Sequence, residues 1–140
     1  MRLIQRGFTL IELIIGMLLL SLLLSVAGWQ YDSYLKRMDQ QAVASLLQQN
    51  ASFLERFYSE RGSYKATPSQ WPVLPHQRYP ASGTARYQLA FGSTPRNTDP
   101  DYYVLRATAS DEALGYIELL QTGTLRRCFA TAGTVQCSPL

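Results

Sequence analysis

The stretch Arg6-Gly7-Phe8-Thr9-Leu10-Ile11-Glu12 constrains this chain most, because it sets one carboxylate at the head of an apolar run that otherwise carries no charge as far as Trp29. The run from Phe8 to Trp29 covers 22 residues. As a helix it would measure about 33 Å at roughly 1.5 Å per residue, enough to cross a hydrocarbon core. An ionisable group inside such a span is costly and marks function by default, so Glu12 needs a partner.

The segment does not read as a secretory signal. Basic residues Arg2 and Arg6 precede the run, but no small-residue cleavage site follows it before Gln30. The small residue stands in front, at Gly7. Cutting between Gly7 and Phe8 removes the basic leader, keeps the whole apolar helix and creates an α-amino group four residues from Glu12. The competing reading is a plain single-pass anchor, with Arg2 and Arg6 holding the amino terminus in the cytoplasm and Glu12 merely tolerated near the interface.

Gly7-Phe8-Thr9-Leu10-Ile11-Glu12 and the apolar run behind it resemble the class III leader of type IV pilins and of the related pseudopilins of type II secretion. The resemblance implies a structural subunit and no enzyme. It implies processing between Gly7 and Phe8 by a prepilin peptidase and N-methylation of Phe8. The partners would be other pilin subunits and the pilus assembly machinery. The subunit would sit in the inner membrane as a single-pass protein with its C-terminal domain in the periplasm, and later in the extracellular pilus. Assembly would rest on Phe8 and Glu12, the carboxylate meeting the Phe8 amine of a neighbour. Apolar helices have little force between them to set axial register, so one buried ion pair can specify it. A misregistered charge left unpaired costs several kcal/mol.

About 110 residues follow the anchor, one small domain. The net charge of +3 shrinks once the two leader arginines are removed, leaving eleven basic against ten acidic groups. The basic balance is therefore weak evidence for a nucleic-acid partner.

Beyond Trp29 the helix continues. Tyr31 and Tyr34 suit a headgroup region, and Val43, Leu46, Leu47, Leu54, Phe57 and Tyr58 recur at helical spacing. Gly62 supplies a left-handed stop after Arg61. Type IV pilins often carry a proline near the membrane exit; here Trp29 stands at the corresponding place. The expected organisation is a leader over 1–7, an assembly helix over 8–29, its amphipathic second half over 30–61, a Pro-rich αβ-loop over 62–86, and a sheet with a Cys-bounded region over 87–140. Trp71 and Leu74 are expected to plug the loop onto the sheet, the alternative being an exposed Trp71 that anchors an interface. Strands are expected over 86–91, 102–109 and 115–121, with a fourth over 125–130. The fold class is α+β, a type IV pilin fold with one long helix on an antiparallel sheet of three to four strands.

Cys128 and Cys137, in a chain delivered outside the cytoplasm, read as a disulfide that fastens the tail. The resemblance supports the pairing, and it tilts the choice toward pili and away from the calcium-binding major pseudopilins. A metal site is the weaker reading, with the sole histidine, His76, far away and no cofactor implied. Asn97, Asp99 and Asp101 lack the glycine and terminal glutamate of a calcium loop. No catalytic constellation emerges. Arginines 78, 86, 96, 106, 126 and 127 interleave with Tyr79, Tyr87, Tyr102 and Tyr103, a composition suited to nucleic acid. Among them Arg78, Arg86, Arg96, Arg126 and Arg127 are the contacts a DNA receptor would use. Against this stands a solvated charge pattern with tyrosines in the core, so DNA is admitted as a partner but not favoured.

Overall fold

The computed structural model of the chain describes residues 8–93, 98–131 and 133–140. Gly7, Arg96 and Asn97 lie outside the described residues. The chain divides into two compact units, Met1–Asp39 and Gln40–Leu140. Helix α1 runs over Leu10–Arg61.

In the first unit α1 shows apolar side chains on every side: Phe8, Leu10, Ile11 and the leucines to Leu24 are all exposed. By length and composition it can cross a membrane. The two serine hydroxyls of the apolar run are satisfied within the helix, Ser21 Oγ donating to the Leu18 carbonyl and Ser25 Oγ to the Leu22 carbonyl, each at 2.8 Å. Hydrocarbon leaves a polar group no other partner.

In the second unit α1 presents Val43, Leu47, Asn50 and Leu54, at steps of four, three and four residues, and all are 0% exposed. Three of them close the apolar core. Phe57, expected on that face, is instead half-buried outside the core cluster, its ring paired with Phe53 at 6.1 Å and topped by Arg61 at 4.8 Å. The helix stops as its sequence dictates: Gly62 takes φ +69° and its N–H donates to the Tyr58 carbonyl at 2.7 Å.

The sheet has six strands: β1 Arg78–Tyr79, β2 Tyr87–Phe91, β3 Val104–Ala109, β4 Tyr116–Leu120, β5 Leu125–Thr131 and β6 Thr134–Pro139. They lie in chain order, each antiparallel to the next. The expected three to four strands therefore fall short by β1 and β6. β1 is only two residues long, between Pro75 and Pro80, which cannot donate to a ladder. β6 is exposed at every residue, so it carries no burial alternation for a sequence to display. The turn into it is made by Gly133 at φ +83°. A disulfide joins the cross-strand partners Cys128 and Cys137, whose Cα atoms are 4.1 Å apart.

One sheet face packs on α1. Tyr87, Leu89, Tyr103, Leu105, Ala107, Ile117 and Leu119 alternate inward along β2, β3 and β4 and their flanks, and all are buried. Leu74 and Trp71 both tie the Pro-rich loop to this core. Leu74 is buried, and Trp71 stacks on Phe91 at 4.3 Å with Lys65 Nζ 5.2 Å over its ring. Asn50 reads the loop backbone as a peptide would: its Nδ2 donates to the His76 carbonyl at 2.7 Å, and its Oδ1 accepts the His76 N–H at 3.0 Å. A buried amide so satisfied fastens the loop without a desolvation penalty left open.

Candidate assembly and nucleic-acid surfaces

The amino-terminal site begins at Thr9, whose carbonyl accepts the N–H groups of Glu12 at 3.1 Å and Leu13 at 3.3 Å. Its hydroxyl accepts the Glu12 N–H at 3.4 Å, the side-chain cap that a threonine before an apolar helix provides. Glu12 thus sits in the first turn of α1, where the helix dipole favours an anion. Phe8 is 83% exposed just ahead of it.

The second site is the sheet face that α1 leaves open. Side chains of a strand alternate between faces, and register carries that alternation across the sheet. One open-face row runs Arg78, Gln88, Thr108, Tyr116 and Cys128; the next runs Ala90, Arg106, Glu118 and Arg126. In the second row Glu118 is 1% exposed although it lies on the face turned away from α1. It is covered by its two cross-strand neighbours. Arg106 donates Nε and Nη2 to Glu118 Oε1 at 3.0 and 2.7 Å, and Arg126 donates Nε and Nη2 to Oε2 at 2.9 and 2.7 Å. Arg106 also lies 4.2 Å over the Tyr116 ring and reaches Ser93 Oγ through Nη1 at 3.3 Å. The carboxylate neutralises one of two guanidinium charges, so the cluster keeps a single positive charge.

The arginines singled out from the sequence do not form one patch. Arg78, exposed at the β1 edge, donates to the carbonyls of Pro80 at 3.4 Å and Gly83 at 2.6 Å, holding the turn there. Arg86 lies 5.6 Å over Tyr79. Arg126 belongs to the Glu118 cluster. Arg127, its chain neighbour, points to the opposite face, where it pairs across from Ile117, hydrogen-bonds Gln40 Oε1 at 3.3 Å and lies 4.7 Å over Phe129. Arg96 is outside the described residues. Among the interleaved tyrosines, Tyr87 and Tyr103 are core residues at 2% exposure and offer no stacking surface. The tyrosine that does accompany the open-face arginines is Tyr116.

Glu118 went unrecognised in the sequence because alternation alone assigns it to solvent. Its signal is register: Arg106 and Arg126 are its Cα partners on both sides.

The remaining polar cluster is structural. Tyr64 and Tyr103 both donate to Glu55, at 3.0 and 3.1 Å, and Gln121 Nε2 donates to Tyr64 Oη at 3.0 Å. Burial, then the Glu55 charge, pushes the Tyr103 phenol well above the usual tyrosine range. Tyr64 is raised too, first by burial. Tyr58 donates to Asp101 Oδ1 at 3.3 Å, and that carboxylate is the main cause of its upward shift. Asp99 spends an oxygen on the Asp101 N–H at 3.0 Å, as a turn former does.

Residues 30–116 match the family model described as type IV minor pilin ComP, DNA uptake sequence receptor. Residues 2–28 match the prokaryotic N-terminal methylation motif. The first match takes in Arg78, Arg86 and Arg106 and ends at Tyr116, before Glu118, Arg126 and the disulfide hairpin. No curated protein matches the chain.

Proposed function

The chain belongs to the type IV minor pilin ComP family, and on that premise we propose that this pilus subunit serves as a receptor for DNA during uptake. The observation that carries the reading is the match of residues 30–116 to a DNA uptake sequence receptor, on a sheet whose open face sets Arg106 beside Arg126. Phosphates dominate such affinity, and arginines held on an exposed sheet are ready donors for them. Arg78, Arg106 and Arg126 lie on the receptor face; Arg127 serves the fold.

The amino terminus does the assembling. A prepilin peptidase cuts between Gly7 and Phe8, the Phe8 amine is methylated, and Glu12 meets that amine on a neighbouring subunit to set register. Before assembly the subunit sits in the inner membrane with its C-terminal domain in the periplasm. The methylation motif over residues 2–28 and the apolar first part of α1, charged at Glu12 alone as far as Trp29, support this order.

Full-length protein in detergent micelles, titrated with labelled duplex DNA at two salt concentrations, tests the receptor role. Binding that weakens steeply with salt is expected. Arg126→Ala should weaken it while Arg127→Ala, an equal change in charge on the opposite face, should not. Absence of binding at low salt overturns the reading. Fibre incorporation of Glu12→Ala, followed by labelling the subunit on pili, tests the assembly role; incorporation at the natural level overturns it.

A further inference from the structure

We infer that Glu118 is a positioning residue of the receptor face: it holds Arg106 and Arg126 side-on so that their outward forks meet the phosphodiester backbone of the bound DNA. This rests on the receptor reading above and adds to it a residue of the same charge as the ligand.

A guanidinium has five N–H groups in a fixed plane. Glu118 takes the Nε edge of both arginines, engaging Nε and Nη2 of each at 2.7 to 3.0 Å. That geometry leaves the opposite end of each fork, bearing Nη1, directed away from the carboxylate. Among the described residues Arg126 makes no other hydrogen bond, and Arg106 makes one Nη1 contact with Ser93 at 3.3 Å. Both side chains keep solvent access, 24% for Arg106 and 36% for Arg126, while the carboxylate between them keeps 1%. The arginines are also braced: Arg106 is stacked on Tyr116, and the strands beneath are in register. Long arginine side chains lose rotamer entropy when they bind an anion. Here Glu118 has already imposed that loss during folding, so a phosphate meets two forks fixed in direction.

Glu118→Gln separates this role from simple charge counting, because the two predict opposite signs. Removing a carboxylate raises the local charge by one, and Coulomb attraction alone would tighten DNA binding. Positioning predicts the reverse. The amide can accept from one guanidinium through its oxygen but turns N–H donors toward the other, which swings off the sheet.

The test uses full-length protein in detergent micelles and a labelled duplex of mixed sequence, titrated across a salt series. Glu118→Gln should bind about tenfold more weakly, the loss of roughly one charge-assisted contact. The slope of log affinity against log salt should fall by about one. Arg126→Lys, which keeps the charge but cannot fork, should weaken binding to a similar extent and leaves the Glu118 carboxylate a cationic partner. Thermal unfolding of each variant keeps loss of fold apart from loss of contact. If wild type binds and both variants bind as tightly or more tightly, the positioning role is wrong while the receptor reading stands. If wild type itself does not bind, the receptor reading fails and takes this inference with it.

Discussion

The two faces of the sheet bury their central residues by different physics. On the α1 side Leu105, Ile117 and Leu119 are buried by apolar contact with Val43, Leu47 and Leu54, an arrangement that any shape-matched hydrophobic set would satisfy. On the open side Glu118 is equally buried, under two arginines whose donors must each find an oxygen. The first face stores stability. The second spends its specificity on direction, and a face that fixes the direction of charged groups is where recognition belongs.

Substitutions can break or sharpen that contrast. The largest effect is expected at Leu105→Ala on the covered face, about 3 to 4 kcal/mol from lost transfer energy and the cavity left behind. Denaturant unfolding in micelles, followed by near-ultraviolet circular dichroism, gives the value. Replacing Cys128 and Cys137 by serine comes next, at about 2 to 3 kcal/mol for a link closing a short hairpin. Glu118→Ala should cost about 2 kcal/mol. That is below the full penalty of a broken buried pair, because both guanidiniums can turn to water. A loss at Glu118 exceeding that at Leu105 would reverse the assignment of stability to the covered face.

The smallest effect is a pH dependence. Tyr103 has its folded pKa raised above the ordinary 10.0. Its stabilising contribution is therefore complete below pH 10, where the unfolded phenol also keeps its proton, and fades as the pH climbs from there toward the folded value. Glu55→Gln should bring the tyrosinate absorbance of the folded protein in at lower pH; an unmoved titration would assign the shift to burial alone.

The covered face was legible in the sequence because alternation and helical spacing both report burial: Val43, Leu47 and Leu54 on α1, then Tyr87, Leu89 and Leu105 on the strands. Phe57 misled, since an aromatic at helical spacing can equally lie under an arginine at the rim. The open face was harder. Arg126 and Arg127 look like one basic pair until β5 is recognised as a strand, when alternation must send them to opposite sides. Glu118 needed more, because its partners lie twelve residues before and eight after it, and only the register of three strands brings them together. β6 gave no burial pattern at all.

The chain-order sequence of the strands has a kinetic consequence. Every ladder joins segments already adjacent along the polypeptide, so the domain can zip hairpin by hairpin. The last hairpin in chain order carries the sulfur bridge, which latches the end of the sheet. Strand pairing of this kind closes only short loops, whose entropy cost is small.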